Sequence, residues 1–543
     1  MSEKPGNINE RTYRKPARFF EDSGTVNPKA SYCVSLDNVV NTKNQDIKTM
    51  VDLGRYFSIF APRQSGKTTF IEELCTQLHR DPTYIAIFLS FQEYKNLDKQ
   101  EFYAEIEKYF YSQLITRLTQ VNCEKTEAVQ QFLNQHHLTN NVSLKALIEG
   151  LNNLLQFKKI VVFIDEFDGI PLSELENFLT TLRELYQKHK KLTHKALYSV
   201  GLAGIRNITK LVVGGVSPFN IADQVVLPPF SLKNVRDLYA QYTAETNQPF
   251  TEPAVKSVYE ETQGQTWLVN RLGAILTTDI KPETVEPIDE KDVEKALKLL
   301  LRQKNNHFDN LYEKAKLYKE KFIEIVFDNV KYLAYDEEQS WLEQYGLIKD
   351  ENGHAVVANN IYKSAFVEIF FEEVNAYENI PPQRYELPGN RLDMENILLD
   401  FEQYIAQIGV QAFYKEKKPY EKTGQFLLTA WLYQFVKGGG GELGYEVKSG
   451  LGIMDVMLTY KGKKYIIETK VNHQSNITRT LNQGVAQVSG KYLATEFCHE
   501  GYLVIFDTKT PVGETMDPQY FPVGDKKVTT ITIAIGRDGS ERI

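Results

Sequence analysis

The amino-terminal half of the chain alternates short apolar runs with longer amphipathic stretches. Four runs rich in β-branched and aromatic residues have the character of strands: RYFSIF (55–60), YIAIFLSF (84–91), KIVVFID (159–165) and ALYSVGLAG (196–204). Helical patterning fills three of the longer segments between and after them, at 101–118, 143–155 and 172–190. Strands that alternate with helices indicate a parallel sheet covered by helices on both faces. We therefore predict an α/β fold for this half.

The pattern changes twice further along the chain. Residues 231–375 have helical patterning without long apolar strands, and a Pro-rich boundary follows at 379–390. Beyond it we expect a helix over 421–437, a glycine run and the strands YEVKS, MDVMLTY and KYIIETKV. The predicted organisation is an amino-terminal arm at 1–30, an α/β core at 31–230, a helical region at 231–378 and a second α/β domain at 391–543.

Composition narrows the class of protein. The 543 residues carry a net charge of −8, which argues against a protein that coats DNA non-specifically but leaves room for a local nucleic-acid site. All of the excess acidity lies before residue 391, because residues 391–543 contain 18 basic and 18 acidic side chains. There is no apolar run long enough to span a membrane and no secretory signal pattern. The four cysteines lack disulfide or zinc spacing, so we expect a cytoplasmic protein without membrane contact.

One loop has the pattern of a phosphate-binding site. APRQSGKT (61–68) lies between a predicted strand and a predicted helix and matches GxxxxGK[ST], except that Ala61 replaces the first glycine. In this pattern Gly66 permits close backbone approach, Lys67 reaches the β- and γ-phosphates, and Thr68 offers a hydroxyl to Mg²⁺. A chance Gly-Lys-Thr is disfavoured by the strand–loop–helix context. The residues expected around the nucleotide are Ala61, Pro62, Arg63, Gln64, Ser65, Gly66, Lys67, Thr68 and Thr69.

A second motif predicts the hydrolytic half of the same site. KIVVFIDEFDG (159–169) is a buried strand that ends in Asp165, expected to hold Mg²⁺ through water, and Glu166, expected to polarise the attacking water. A solvated strand end is the alternative for this pair alone. YIAIFLSF, between the two motifs, suggests a sheet with one strand inserted between the motif strands. That arrangement uses a catalytic glutamate, which favours ATP hydrolysis over binding alone.

Two arginines are candidates for sensing the γ-phosphate. Arg206 follows the strand that ends in LAG, and Arg271 lies in the helical segment GQTWLVNRLG. Either side chain could instead serve packing or lie on the surface. If Arg206 acts on a neighbouring subunit, the protein would form a homo-oligomer.

Several motifs together resemble the bacterial AAA-like ATPases. They are APRQSGKTT, FIDEFD, SPFNI (217–221), TQGQTWLVNRL (262–272) and VVANNIYKSAF (356–366). The resemblance extends from about residue 30 to residue 375. It implies a P-loop ATPase core with ATP and Mg²⁺ as cofactors, a helical lid, a winged-helix-like segment and a switch or remodelling activity.

The carboxy-terminal domain contains a second candidate site. In GLGIMDVMLTYKGKKYIIETKV (450–471), KGKK is a hairpin turn that brings Asp455 beside Glu468 and Lys470, which share one strand face. Two carboxylates can bind Mg²⁺, and a nearby lysine can orient or deprotonate water for phosphodiester hydrolysis. The alternative is an amphipathic hairpin with ordinary polar positions.

The spacing D-x₁₂-ExK resembles the PD-(D/E)xK nuclease superfamily. The resemblance implies a restriction-endonuclease-like α/β domain, a further metal-binding carboxylate at Glu421, and a later helix in LNQGVAQVSGKYL (481–493). Relatives carry arginines where this chain has Leu451 and Ile453, which weakens the case for DNA binding and activity. Basic side chains that could track a phosphate backbone are Lys448, Lys461, Lys463, Lys464, Lys470, Arg479 and Lys491.

Two hypotheses of function follow. The leading one is an ATPase coupled to a Mg²⁺-dependent nuclease, with DNA favoured over RNA, in defence or mobile-element biology. The other is an ATP-switched binding or signalling protein whose nuclease-like domain is inactive and only binds a partner or nucleic acid.

Overall fold

The fold is described from a computed structural model. It covers residues 12–36, 39–189, 197–205, 221–327, 330–375, 382–408, 414–415, 418–419, 421–437, 441–449, 452–493, 498, 500–524 and 526–536. The chain divides into two compact units. The first comprises residues 1–314, 334–349 and 358–362, and the second comprises residues 315–333, 350–357 and 363–543.

A five-stranded sheet forms the centre of the first unit. Its strands are β1 (Tyr56–Phe60), β2 (Tyr84–Ser90), β3 (Lys159–Asp165), β4 (Leu197–Gly204) and β5 (Asp223–Val226). Their order is β2-β3-β4-β1-β5, and every neighbouring pair is parallel. One strand does lie between the motif strands β1 and β3, but it is β4. YIAIFLSF forms the edge strand β2, because the connection from β1 to β2 skips the two positions that β3 and β4 then occupy.

Helices cover both faces of this sheet, as predicted. Side chains of β3 alternate between two separate hydrophobic clusters: Ile160, Val162 and Ile164 pack in one, and Val161 and Phe163 pack in the other. Because successive strand residues point to opposite faces, a strand buried in this way has an apolar layer on each side. The helices are α1 (Ile47–Asp52), α2 (Lys67–Leu78), α3 (Lys99–Gln120), α4 (Thr126–Asn134), α5 (Asn141–Leu154) and α6 (Leu172–His189).

The segment after the sheet is mostly helical, as its pattern predicted. Ser231 and Thr251 accept hydrogen bonds at the starts of the first two helices, as expected for N-caps. The helices are α7 (Leu232–Thr246), α8 (Glu252–Thr262), α9 (Thr266–Ile275), α10 (Glu290–Arg302), α11 (Asn306–Leu317), α12 (Lys319–Phe327), α13 (Glu337–Gln344) and α14 (Asn360–Asn375). Two short strands, β6 (Ile348–Glu351) and β7 (His354–Val357), pair with each other before α14. No helix within the described ranges is both long and apolar enough to cross a membrane.

A six-stranded mixed sheet forms the core of the second unit. The predicted hairpin is present, with a turn at Lys461 and Gly462, both of which have positive φ. The sheet order is β12-β13-β14-β15-β17-β16, with parallel pairing only between β14, β15 and β17. Its strands are β12 (Gly441–Ser449), β13 (Gly452–Tyr460), β14 (Lys463–Asn472), β15 (Glu500–Pro511), β16 (Gln519–Val523) and β17 (Lys526–Gly536).

Among the described residues after 382, the second unit also contains three α-helices and two short strand pairs. The helix predicted over 421–437 is α16 (Glu421–Lys437), and the indole N–H of its Trp431 donates to the carbonyl of Ile397 on α15 (Met394–Ile408). The helices are α15 (Met394–Ile408), α16 (Glu421–Lys437) and α17 (Thr478–Gln487). The short pairs are β8 (Glu386–Leu387) with β9 (Arg391–Leu392) and β10 (Tyr414–Lys415) with β11 (Lys418–Pro419).

Candidate functional site

The loop between β1 and α2 has the backbone of an anion-binding site. Gln64 and Gly66 have φ of 56° and 84°, and α2 begins at Lys67 without a side-chain cap. Uncapped N–H groups at a helix N-terminus favour an anion such as phosphate. Ala61 has a negative φ, so the replacement of the first glycine causes no backbone strain.

Lys67 is held against its own loop. It is only 5% exposed, and its Nζ donates to the carbonyl oxygens of Ala61 at 2.9 Å and Pro62 at 2.8 Å. Burial lowers the pKa of the Lys67 ammonium, while the carboxylates of Glu166 and Asp165 act in the opposite direction. The ammonium is therefore fixed at the loop, where the sequence pattern expects phosphate.

A short hydrogen bond joins the two predicted motifs. Thr68 Oγ1 donates to Asp165 Oδ2 at 2.5 Å, and Asp165 is 2% exposed at the carboxyl end of β3. The other carboxylate oxygen of Asp165 accepts from the backbone N–H of Glu166 at 2.9 Å. A hydroxyl and a carboxylate are oxygen donors of the kind that Mg²⁺ prefers, so the residues present fit the ion that the motif implies.

Glu166 lies next to this pair in an unusual backbone conformation. Its φ is 48°, in the left-handed region that few non-glycine residues adopt. Burial raises the pKa of the Glu166 carboxyl, while Lys67 acts against that rise. A carboxylate with a raised pKa in a cleft is suited to accept a proton from water.

A cleft of about 360 Å³ opens beside the loop. Its volume lies within the range typical of small-molecule sites, about 300–1,000 Å³. The cleft is lined by loop residues Gln64 and Gly66 to Thr69, by Glu166, by the arm and by one face of α9. Sequence reasoning missed many of the side chains in its wall, among them Gln92, Phe230, Thr266, Trp267 and Asn270. The signal available for the last three was their position in the same helical segment as Arg271.

The two candidate sensor arginines have different outcomes. Arg206 lies outside the described residues, as does most of SPFNI, so its role stays a prediction. Arg271 Nη1 forms a 2.6 Å ion pair with Asp22 of the arm, and its Nη2 donates to Gln303 Oε1 at 2.6 Å. The structure thus places Arg271 between the arm and Gln303, which directly follows α10. A contact between Arg271 and the nucleotide stays a prediction.

The second candidate site lies on the β13–β14 hairpin. The register that pairs Val456 with Ile467 brings Asp455 to the level of Glu468. Lys470 Nζ donates to Glu468 Oε1 at 2.6 Å, and Glu468 is only 1% exposed. The predicted juxtaposition of the glutamate and the lysine on one strand face is therefore present.

The Asp455 carboxylate is held by Thr469, which was not among the predicted site residues. Thr469, between Glu468 and Lys470, donates to Asp455 Oδ2 from its N–H at 2.8 Å and from Oγ1 at 2.7 Å. The buried Gln425 of α16 donates to the backbone carbonyl of Asp455 at 3.0 Å. These bonds fix the aspartate where the strands β13 and β14 separate.

Other predicted parts of this site cannot be placed. The helix α16 begins at Glu421, but the side chains of Glu421, Lys448, Ile453 and Lys491 lie outside the described part of the structure, as does all of Leu451. Within the described ranges, no group of three or more His, Cys, Asp or Glu side chains is arranged to hold a metal ion. A metal at the hairpin would therefore depend on Asp455 and Glu468 with other oxygen donors.

Solved structures match this chain at low sequence identity and with TM-scores below 0.5. The Walker-type ATPase PABY2304 of Pyrococcus abyssi matches with 13% identity and a TM-score of 0.40, over 57% of this chain and 90% of that chain. The RuvB Holliday junction branch migration motor of Thermotoga maritima matches with 13% identity and a TM-score of 0.32, over 61% and 97%. Cdc6p from Pyrobaculum aerophilum matches with 13% identity and a TM-score of 0.30, over 59% and 88%.

Sequence-family comparison separates the two parts of the chain. No curated protein matches it. Residues 392–510 match a family described as a domain of unknown function (DUF8371), so the resemblance to nucleases stays a prediction. Residues 27–368, well over half of the chain, match the AAA-like domain family, as the motifs predicted. The chain therefore belongs to the AAA-like domain family.

Proposed function

We propose that the chain binds and hydrolyses ATP with Mg²⁺ at the loop of residues 61–69. The observation that carries the proposal is the 2.5 Å hydrogen bond from Thr68 to Asp165, formed beside Lys67 and Glu166. It joins residues 97 positions apart and unites both halves of the predicted site. Such convergence is expected of a hydrolytic nucleotide site and is not required by packing alone.

Each of these residues has a role in the proposed reaction. The first turn of α2 and Lys67 bind the phosphates, and Thr68 and Asp165 hold Mg²⁺, which when bound offsets the negative charge of the phosphate oxygens. Glu166 orients a water molecule and accepts its proton as the water oxygen attacks the γ-phosphorus. The bond from that phosphorus to the β-γ bridging oxygen breaks, and ADP and phosphate leave.

Phosphate release with and without Mg²⁺ tests this function. Asp165→Asn should abolish the Mg²⁺-dependent rate, because the amide removes the negative charge that holds the ion. Asp81→Asn is a matched control, since Asp81 caps a loop beyond the far end of α2, where it accepts from Thr83 N at 2.8 Å. Equal rates for both variants and the unaltered protein would rule out the assigned site.

We further propose that the carboxy-terminal domain is a Mg²⁺-dependent nuclease controlled by the ATPase. The Glu468–Lys470 contact and the nearby Asp455 support this, since the two carboxylates would hold the metal and the lysine would orient the attacking water. In the helical region that precedes the carboxy-terminal domain, the short pair β6–β7 followed by α14 supports a winged-helix-like element.

For the nuclease substrate, DNA is favoured over RNA. A role in defence or mobile-element biology, a cytoplasmic location and a homo-oligomer are further parts of this proposal.

A cleavage assay on single- and double-stranded DNA and RNA tests the nuclease, with Mg²⁺ and with or without ATP. Glu468→Ala should remove cleavage and leave ATP hydrolysis intact. Glu395→Ala is a matched control for loss of a glutamate outside the hairpin, because Glu395 lies on α15, where it accepts from the Tyr520 hydroxyl at 2.7 Å. Absence of cleavage from every substrate would exclude the nuclease while leaving the ATPase proposal unaffected.

The second candidate function is an ATP-switched binding protein with an inactive nuclease-like domain. The contacts that favour it are the bonds of Asp455 to Thr469 and of Glu468 to Lys470, because a hairpin that ties its own polar groups together needs no metal. Titration of Mn²⁺ into the full chain separates the alternatives. Binding lost in Asp455→Ala supports the nuclease, and no binding outside the ATP site supports the switch.

A further inference from the structure

A short segment of the arm crosses one side of the cleft. This segment, Glu21–Val26, is called the strap below, and all six of its residues line the cleft. At one end, the carbonyl of Asp22 accepts from Trp267 Nε1 at 2.6 Å and its carboxylate pairs with Arg271 at 2.6 Å. At the other end, Val26 N donates to Thr69 Oγ1 at 3.3 Å. The strap therefore connects α9 of the helical region to α2, which begins the phosphate-binding loop.

The chain is firmly held on both sides of the strap. Before it, Phe20 is 4% exposed, and the centroid of its ring lies 4.9 Å from that of Tyr32 and 5.4 Å from that of Tyr239. After it, Tyr32 is 1% exposed, and its backbone N–H donates to the carbonyl of Phe19 at 3.0 Å. By contrast, residues 23–25 are exposed, and no other atom lies within 4 Å of the position a Cβ would take at Gly24. Movement of the strap therefore needs little repacking of apolar side chains.

The ion pair of Asp22 and Arg271 is the polar contact best placed to control this movement. The two side chains are 25% and 29% exposed, so water partly screens the pair. Ion pairs of this kind are readily broken, unlike the aromatic packing around Phe20. Breaking it would leave one hydrogen bond, from Trp267 Nε1 to the Asp22 carbonyl, between the strap and α9, while the arm stays attached.

We propose that the strap is a gate for nucleotide exchange and that Asp22 with Arg271 is its latch. The proposal rests on the proposed ATP site, because it assigns a route of entry and exit to that site. With the latch closed, a nucleotide bound at Lys67 is retained between the loop, α9 and the strap. With the latch open, the strap moves away and the nucleotide exchanges.

Stopped-flow release of a fluorescent ADP analogue from the full chain tests the latch. Asp22→Asn and Arg271→Gln should each accelerate release by about three- to fivefold, the value expected for a partly exposed ion pair. The charge swap Asp22→Arg with Arg271→Asp should restore slow release. Arg236→Gln is the matched control, because it removes the Arg236–Glu252 pair of the same helical region, whose 2.5 Å contact lies outside the cleft lining, and should leave release unchanged.

Amide hydrogen exchange gives a readout that does not need nucleotide. Residues 21–26 should exchange faster in Asp22→Asn than in the unaltered protein, whereas residues of α2 should not change. Unaltered release rates and unaltered exchange in Asp22→Asn would overturn the latch. If the unaltered protein bound no ADP, the proposed ATP site would fail, and a change in exchange would then show only that the ion pair anchors the strap.

Discussion

The two candidate sites differ in the backbone from which they are built. At the phosphate-binding loop, Gln64, Gly66 and Glu166 all have positive φ, and the side chains that meet come from separate elements. At the hairpin, Asp455 and Glu468 occupy regular positions on adjacent strands. Residues in sparsely populated conformations persist only where the surrounding structure holds them, and they concentrate at functional sites. The phosphate-binding site therefore has a mark of function that the strand positions of Asp455 and Glu468 lack.

The largest effect is expected at Glu166. Glu166→Gln should lower kcat for ATP hydrolysis by about 10²–10⁴-fold, because a general base typically contributes that factor. Affinity for ATP should change little. Phosphate release measures the first quantity and binding of a fluorescent ATP analogue measures the second. Hydrolysis by Glu166→Gln at the rate of the unaltered protein would contradict the assignment of the base.

The same residue predicts the pH dependence of the ATPase. Burial raises the pKa of Glu166, and the protonated carboxyl cannot accept a proton from water. We therefore expect kcat to fall with decreasing pH already above the ordinary glutamate pKa of about 4.3. This acidic limb should be absent from the residual activity of Glu166→Gln, and a limb of equal shape in both proteins would assign it to another group.

The next effect concerns nucleotide affinity. Lys67→Ala should weaken ATP binding by about 100-fold, because hydrogen bonds to charged groups are worth about 1.5–3 kcal/mol each. Calorimetric titration of the full chain checks this. Lys48→Ala is the matched control, since its ammonium pairs with Asp52 at 2.7 Å on the exposed surface of α1. A similar loss of affinity in both variants would indicate a general effect on the fold.

A smaller effect is expected on metal binding at the β13–β14 hairpin. Thr469→Val removes the hydroxyl that donates to Asp455 and should weaken metal binding by about 10–100-fold, as loss of a residue that supports a ligand typically does. Thr469→Ser keeps the hydroxyl and should retain most of the affinity. If Thr469→Val bound Mn²⁺ as well as the unaltered protein, the threonine would serve only the hairpin.

The smallest effect on either candidate activity is expected from a residue that should change only the pH-dependent stability of the carboxy-terminal domain. Glu402 on α15 is 7% exposed, its Oε1 has no hydrogen-bond partner among the described residues, and burial raises its pKa to about 7. Between the unfolded pKa of about 4.3 and this value, the folded state binds more protons than the unfolded state. The free energy of unfolding should therefore fall as pH rises through this interval.

Glu402→Gln tests this linkage because the amide cannot ionise. The variant should be more stable than the unaltered protein by about 3 kcal/mol at pH 8 and by about 1 kcal/mol at pH 5, since each pKa unit corresponds to about 1.4 kcal/mol. Urea denaturation at both pH values measures the difference. An equal difference at pH 5 and pH 8 would mean that Glu402 does not titrate in this interval.

Strands and the polar residues at their ends were predicted correctly, because local patterns in the sequence determine them. The continuous apolar runs gave four strands of the parallel sheet and their polar ends gave Asp165 and Glu166, because a strand buried on both faces has no polar positions until it ends. The position of β4 between β1 and β3 was not predicted, since it depends on a crossover and not on the strand itself. The strand β17 was not predicted either, although VTTITIAIG alternates in the manner of a strand.

Contacts between distant residues were beyond local patterns. Asp22 and Arg271 are 249 positions apart. The residues next to each of them in the sequence do not indicate that the two form an ion pair. Thr469 shows a different limit. Period-two geometry assigns its side chain to the face opposite Glu468, but the separation of β13 and β14 at Asp455 lets both its N–H and its hydroxyl reach the carboxylate.

The alternation of β3 between two hydrophobic clusters has a mechanical consequence. Asp165 ends this strand and Glu166 follows it, so any force exerted on these carboxylates acts directly on β3. Because its side chains interlock with both helical layers, β3 cannot shift along its axis without disturbing both of them. A displacement of Asp165 or Glu166 would therefore be transmitted through β3 to the helices on both faces of the sheet.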